Sequence, residues 1–193
     1  IVNLPKMKTH SLMRLTGAVK NMYGAVAGLH KSELHKRFPS PEEFAKVLAD
    51  TFEIARPSLV LMDGIVSMDQ GGPASGRLRN TGILIAGTDS VAVDSVFAGL
   101  IGMKPLDILT TKEAHKRKLG EADLKNIEIS GESVKDSYVK DFEVPGGPGL
   151  ITVLGPFVKY AARFVKFGPR IAEKLCKKCM ICRDTCPVSA ITI

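Results

Sequence analysis

Residues 40–64, SPEEFAKVLADTFEIARPSLVLMDG, carry the clearest secondary-structure signals in the chain. Ser40 is placed to cap a helix, and Glu43 completes a capping box with it. The helix is expected to end before Pro57, because a proline restricts the residue that precedes it. Residues 58–62 then form a short apolar strand. A capped helix followed by a buried strand predicts α/β architecture.

Similar patterns recur on both sides of this segment. Helices are predicted where apolar residues repeat at helical spacing, and strands where short apolar runs stand between turn residues. The predicted strands are residues 1–4, 58–62, 82–87 and 126–130, the predicted helices are residues 11–22, 41–55, 89–101 and 110–120, and the predicted loops include residues 30–37 and 69–77. This order predicts an α/β fold with a largely parallel sheet flanked by helices.

The composition is that of an ordinary globular protein. The 193 residues are 45% hydrophobic and 24% charged, which suits one medium domain and a small appendage. No apolar run is long enough to span a bilayer, which disfavours a membrane partner. The net charge of +7 permits an acidic protein or a small anion as partner, whereas 6% aromatic residues without Trp disfavour nucleic acid. Clustered free cysteines fit a reducing compartment, so a cytoplasmic location is expected.

All four cysteines lie in one segment, Cys176-Lys-Lys-Cys179-Met-Ile-Cys182-Arg-Asp-Thr-Cys186-Pro. Its spacing, C-x2-C-x2-C-x3-C-P, is the bacterial ferredoxin pattern that holds a [4Fe–4S] cluster. We therefore predict that Cys176, Cys179, Cys182 and Cys186 are metal ligands. A structural zinc site is the first alternative, although such sites separate their two C-x2-C pairs by about a dozen or more residues. Incidental thiols are the second alternative.

The fourth cysteine carries a further expectation. In two-cluster ferredoxins the last cysteine of such a run binds the other cluster, so two clusters are expected in the full-length protein and an absent or incomplete cluster in this fragment. The chain begins at Ile1 inside an apolar stretch and stops at Ile193, which predicts a fragment cut at both ends. The predicted parts are an α/β domain at 1–140, a Gly/Pro hinge and connector at 141–170 and a partial ferredoxin module at 171–193.

Polar side chains stand just beyond the predicted strands, where ligands bind in open α/β sheets. The cations suit a carboxylate or a phosphate, a histidine moves protons near neutral pH, and a carboxylate serves as a base or a metal ligand. The predicted catalytic residues are His10, Asp63 and Lys20, and the predicted substrate-binding residues are Lys6, Lys8, Asn21 and Arg77, with Asp69 as a further candidate base.

Several of these residues also have a structural interpretation. The lysines suit a solvated loop, His10 suits a hydrogen-bonded structural histidine, and Asp63 before Gly64 is a common turn pair. Asp89 is expected to cap the helix that follows it. Asp94 lies one turn further into that helix, and a buried position for it would count towards a site.

Several segments in combination resemble one known family. They are Leu4-Pro-Lys-Met-Lys-Thr-His10, Thr16-Gly-Ala-Val-Lys-Asn-Met-Tyr-Gly24, Met62-Asp-Gly-Ile-Val66, Gly71-Gly-Pro-x-x-Gly76 and Ala92-Val-Asp94, together with the terminal cysteine run. Over most of residues 1–187 the chain is similar to the iron–sulfur-associated domain-of-unknown-function family three-six-two. The resemblance implies an α/β domain, often followed by a two-cluster ferredoxin module. It implies no particular reaction.

These observations support two main hypotheses. The first is an iron–sulfur redox enzyme or electron-transfer protein, whose α/β domain binds a small anionic substrate and whose clusters exchange electrons with a carrier protein. The second is a non-catalytic partner-binding or iron–sulfur accessory protein with structural or transferable clusters. Nucleic-acid binding is a third hypothesis, suggested only by the positive charge.

Overall fold

The computed structural model describes residues 1–146, residue 171 and residues 176–185. Residue contacts divide the chain into two compact units, Ile1–Gly147 and Pro148–Ile193. The first unit is an α/β domain with a five-stranded sheet, which confirms the predicted fold class. Among the described residues, no helix has both the length and the apolar character that a bilayer crossing requires.

The described residues form five strands and six helices. The strands are β1 (Val2–Asn3), β2 (Lys6–His10), β3 (Arg14–Thr16), β4 (Leu59–Asp69) and β5 (Arg77–Gly87). The helices are α1 (Ala18–Asn21), α2 (His30–Arg37), α3 (Pro41–Ile54), α4 (Ser90–Leu100), α5 (Leu109–Lys116) and, in the second unit, α6 (Ile181–Asp184). Short 3-10 turns occupy Met22–Ala25, Pro105–Asp107 and Leu124–Asn126.

The sheet is mixed and is built around β4. Strands β1 and β2 pair parallel with one edge of β4, and β5 pairs antiparallel with the other edge. Pro5 separates β1 from β2, and its carbonyl accepts a hydrogen bond from the N–H of Asp63 at 2.9 Å. Strand β3 then pairs antiparallel with β2. The largely parallel sheet of the prediction becomes a mixed one because residues 70–76 are too few for the crossover that a parallel β4–β5 pair requires.

Three local predictions are wrong. Residues 11–22 form a turn, β3 and α1 instead of one helix, and Arg14 breaks any helix there with a left-handed φ of 65°. Residues 30–37 form helix α2 instead of a loop, with Glu33 in its first turn and basic residues in its last, as the helix dipole favours. Of residues 126–130, predicted as a strand, Asn126 ends a 3-10 turn, and the segment joins no ladder of the described sheet.

The core lies between the sheet and α4, and it continues between α3, α1 and α5. Helix α3 begins as predicted, because the Ser40 hydroxyl accepts a hydrogen bond from the N–H of Glu43. The largest fully buried side chains of these helices are Phe44 and Phe52 on α3 and Phe97 on α4. Burial of an aromatic side chain of this size contributes on the order of 2 kcal/mol to stability. Both helices therefore contribute large apolar side chains to the core.

A buried carboxylate joins α4 to the start of α1. Asp94 is only 5% exposed, and it accepts hydrogen bonds from the N–H of Ala18 and, at 3.0 Å, from that of Val19. Burial raises the pKa of Asp94 to about 7, against the opposing effect of these two hydrogen bonds. Gly17 permits the contact, since a Cβ atom there would overlap the Asp94 carboxylate. Helix α1 is therefore held in place by a residue 76 positions away in the sequence.

We expect Gly17→Ala to lower the free energy of unfolding by about 2 kcal/mol, because the added methyl group displaces the Asp94 carboxylate from the N–H groups that donate to it. Gly24→Ala is the matched control, since a Cβ atom there meets no described atom within 4 Å. That variant is expected to be neutral or up to about 1 kcal/mol more stable. Urea unfolding followed by circular dichroism measures both, and equal stability of the two variants would contradict the assigned contact.

Candidate functional site

Strand β2 divides its side chains between the core and a polar face. Met7 and Thr9 are fully buried, whereas Lys6, Lys8 and His10 point to the opposite side of the strand and are exposed or half-buried. Alternation of this kind follows from the two-residue period of a β-strand. The prediction places these cations after a strand, and the structure places them within one. Three basic side chains therefore share one face of the sheet.

Helix α1 and the turn after it bring further polar groups to the His10 end of this face. The resulting pocket has a volume of about 290 Å³, and we call it the cationic pocket. Its lining residues are Lys8, His10, Thr16, Lys20, Asn21, Tyr23, Gly24, Lys31 and Pro73. As far as the described residues form it, the lining contains three lysines and a histidine and no carboxylate. The pocket is therefore suited by charge to a small anion.

Four of the seven predicted catalytic and substrate-binding residues line this pocket. They are Lys8, His10, Lys20 and Asn21. Sequence reasoning missed Lys31, which lies in a segment predicted as a loop, and Thr16, which lies in a segment predicted as the interior of a helix. Thr16 lies on β3 and Lys31 on α2, and the sequence pattern predicted neither element.

His10 is fixed in one orientation by the backbone that follows it. Its Nδ1 accepts hydrogen bonds from the N–H groups of Leu12 at 3.1 Å and Met13 at 3.2 Å. An Nδ1 atom that accepts must be unprotonated, so the ring proton is on Nε2. Burial, followed by the charges of Lys20, His35 and Lys8, lowers the pKa of His10 to about 4. At neutral pH the ring is therefore uncharged and offers the pocket an Nε2–H donor.

Lys20 is a half-buried cation beside a second cation. Burial lowers its pKa to about 8, and the charge of Lys8 acts in the same direction. Lys6 on the same strand as Lys8 is different, because its Nζ lies 2.7 Å from the Asp63 carboxylate. Among the described residues no salt bridge involves Lys8, Lys20 or Lys31. The charge of the cationic pocket is therefore uncompensated within the described α/β unit.

Two uncharged polar side chains, Thr16 and Asn21, also line the pocket. Thr16 is 6% exposed, and its buried hydroxyl has no hydrogen-bond partner among the described residues. A buried hydroxyl without a partner costs free energy, which a ligand that accepts its hydrogen bond would recover. Asn21 is positioned by its Nδ2, which donates to the Oδ1 of Asn3 at 2.8 Å. Asn3 in turn donates to the carbonyl of Ala18 at 2.8 Å.

The remaining predicted residues lie outside the pocket. Asp63 pairs with Lys6 and accepts from the N–H of Ile65, and these hydrogen bonds lower its pKa. Arg77 holds the fully buried Asp69 through two hydrogen bonds of 3.1 and 2.7 Å and also contacts Glu143. These contacts tie the β4–β5 hairpin to the segment around residue 143.

Two further aspartates have structural roles in the described unit. The Asp89 carboxylate accepts from the N–H groups of Val91 and Ala92, which confirms the predicted helix cap. Asp94 is buried, as a site residue would be, but it caps α1 and does not line the cationic pocket.

A larger cavity of about 580 Å³ lies between β5 and residues 127–137 of the same unit. Its lining includes residues 82–87 of β5 and apolar residues such as Val96, Leu100 and Ile127. In the described unit, none of the predicted catalytic or substrate-binding residues lines it. The cationic pocket is smaller, but it holds the convergent polar groups that distinguish a binding site from a surface groove.

The cysteine segment belongs to the second unit. Cys176, Cys179 and Cys182 are free thiols, the last two exposed, and the N–H of Lys178 donates to the Cys176 sulfur at 3.4 Å. Lys178 and Met180 both have left-handed φ values, 53° and 61°. The described residues contain no group of three or more His, Cys, Asp or Glu side chains close enough to hold a metal ion. Cys186 lies outside the described residues, so the four-cysteine ligand set stays a prediction.

Comparison with known proteins identifies a family and a relative. The chain is 33% identical over 121 residues to a thylakoid-associated protein of Synechocystis sp., an alignment that covers 62% of this chain and 37% of that relative. The chain thus matches little more than a third of the relative's length. No solved structure matches the chain. The model of the domain of unknown function DUF362 matches residues 1–99, just over half of the 193 residues. The chain therefore belongs to the DUF362 family.

Proposed function

We propose that the chain is part of an iron–sulfur redox protein whose α/β unit binds a small anionic substrate in the cationic pocket. The observation that carries the substrate proposal is the pocket lining, where three lysines, an Nε2–H group and an unpartnered hydroxyl meet no carboxylate of the described residues. Buried or half-buried cations without counterions are costly, and a bound anion removes that cost. The affinity is expected to come from charge-assisted hydrogen bonds.

The geometry favours a donor role for His10 over a role as general base. A base at neutral pH needs a free lone pair, and the N–H groups of Leu12 and Met13 both point at the one lone pair on Nδ1. The Nε2–H group is directed away from these contacts and donates to a ligand oxygen. The proton-transfer role predicted for His10 is replaced in this proposal by a role in substrate orientation.

The cysteine run supports the redox half of the proposal. An all-thiolate donor set suits iron–sulfur clusters, and an N–H group directed at a ligand sulfur stabilises negative charge there. Cys176, Cys179, Cys182 and Cys186 would hold the clusters. A bound cluster supplies one-electron transfer, and an electron-carrier protein is the expected partner. The location of the protein, predicted as cytoplasmic, stays a prediction, and the Synechocystis relative is described as thylakoid-associated.

The exposure of Cys179 and Cys182 favours a second function. Thiols open to solvent are reachable by an acceptor protein, as a cluster-transfer or accessory protein requires. The two functions differ in what happens to the cluster. A redox protein cycles it reversibly between oxidation states, whereas an accessory protein loses it to an apo-acceptor.

For the cluster, we expect the natural protein purified without oxygen to contain iron and acid-labile sulfide, because thiolates at this spacing bind cubane clusters. Cys179→Ser should lose at least about half of the iron, since a serine oxygen is a poorer ligand for this soft site. Lys177→Ser, two residues away and outside the ligand set, is the control and should retain the full iron content. Metal analysis and visible absorption measure the result, and zinc in place of iron would overturn the redox proposal.

For the anion site, we expect inorganic phosphate or pyruvate to bind the 193-residue chain in isothermal titration calorimetry. Lys8→Met should weaken binding by about tenfold, the equivalent of about 1.4 kcal/mol, because it removes one uncompensated charge from the pocket. Lys6→Met is the matched control on the same strand face. Its charge is already paired with Asp63, so affinity should change by less than about twofold. Equal effects of the two substitutions would place the anion elsewhere.

For His10, we expect a neutral ring with the proton on Nε2 at pH 7 and titration near pH 4. Two-bond proton–nitrogen NMR correlations report both. Because the pKa of the folded state lies below the unfolded value of 6.5, the stability that His10 contributes is present above pH 6.5 and is lost as the pH falls towards 4. His10→Asn keeps an acceptor for the Leu12 and Met13 N–H groups and should remove this acid-induced loss. An imidazolium at pH 6 would contradict the assignment.

A further inference from the structure

We infer that Lys20 is a nucleophile that forms a reversible imine with a small 2-oxo acid bound in the cationic pocket. This inference rests on the proposed anion site and names the class of its substrate. The proposed anion site requires only non-covalent binding, and this inference adds a covalent step to it. The inference is based on three features of the pocket. Lys20 is half-buried in it, His10 provides an Nε2–H donor, and Lys8 and Lys31 are further cations in the lining.

The surroundings of Lys20 favour the neutral amine that an imine requires. The side chain is half-buried on α1, Lys8 approaches it from β2, and no carboxylate of the described unit lines the pocket around it. A desolvated lysine beside another cation is one of the general ways in which an amine is activated as a nucleophile. The lowered pKa, about 8, agrees with this geometry, because a useful fraction of the amine is then neutral near pH 7 to 8.

The other groups of the pocket fit the two ends of a 2-oxo acid. Lys8 and Lys31 line the pocket and provide cations for the carboxylate. The Lys31 amine has three donors, and one of them donates to the carbonyl of Gly24 at 3.3 Å, which leaves two for a ligand. The neutral His10 ring supplies an Nε2–H donor for the carbonyl oxygen. A donor at that oxygen stabilises the negative charge that develops on it during addition. A neutral ketone would meet the same nucleophile without the carboxylate contacts.

The chemistry balances without a further reactant. The neutral Lys20 Nζ attacks the carbonyl carbon and forms a C–N bond, while the carbonyl π bond breaks and its oxygen becomes the hydroxyl of a carbinolamine. Both N–H protons of the amine are transferred to that oxygen, one when the carbinolamine forms and one when it loses water. The oxygen leaves as water as the C=N bond forms. The imine is protonated by solvent to an iminium ion. Hydrolysis reverses every step, and no oxidation or reduction takes place.

The test is reductive trapping in the 193-residue chain. Pyruvate is the probe, with sodium borohydride as the trapping reagent and peptide mass spectrometry as the readout. We expect a reduced pyruvate adduct on Lys20 in the wild-type chain. Trapping with acetone at the same concentration should be at least about tenfold lower, because acetone lacks the carboxylate that Lys8 and Lys31 bind. Lys8→Met should reduce the pyruvate adduct by a similar factor.

Two variants separate this inference from the anion site itself. Lys20→Arg keeps the positive charge but cannot form an imine, so it should bind pyruvate in calorimetry and show no adduct at position 20. Lys112→Arg, at an exposed position on α5, should be trapped like the wild type. Binding of pyruvate without any adduct on Lys20 would overturn the imine and leave the anion site standing. An adduct spread evenly over exposed lysines would also overturn it, and failure of every anion to bind would overturn both.

Discussion

The contact between the Asp94 carboxylate and the start of α1 is the constraint on which the site depends. A helix of four residues is not stable on its own, because fixing the backbone of its first turn costs free energy and too few hydrogen bonds follow to offset that cost. In this unit Asp94 satisfies the first N–H groups of the helix, and Asn3 accepts and donates along its side. Lys20 and Asn21 owe their positions to this support. The buried carboxylate thus acts on the cationic pocket indirectly, through the backbone that it holds.

The cations on and near the sheet of the α/β unit differ in how their charge is balanced. Arg77 and Arg79 both contact the buried Asp69, and Lys6 pairs with Asp63, so these charges are balanced where they lie. The lysines of the cationic pocket are not balanced in the described unit. In a chain with a net charge of +7, the cationic pocket is a place where three lysines converge without a carboxylate among the described lining residues.

Sequence reasoning succeeded where signals were local and failed where they were not. Helices α3 and α4 were predictable because their caps, Ser40 and Asp89, and their apolar stripes lie in consecutive residues. Helix α2 buries no residue in the described unit, so its sequence carries no apolar period and resembles a loop. In residues 11–22 apolar side chains of a turn, a strand and a short helix fall by coincidence at helical spacing. The pocket residues of β2 and α1 could be predicted individually, but their convergence requires the Asp94 contact, which no spacing within either segment encodes.

Alternation along β2 places core side chains and cationic-pocket side chains at alternate positions of the same five residues. Insertion or deletion of a single residue there would turn Met7 and Thr9 outward and bury Lys8 and His10, so the fold and the pocket would be lost in the same event. Gradual divergence of this strand is thereby limited to point substitutions. Positions 8 and 10 are the pocket-lining positions of β2, where a point substitution can change the charge of the pocket while the hydrophobic interior stays intact.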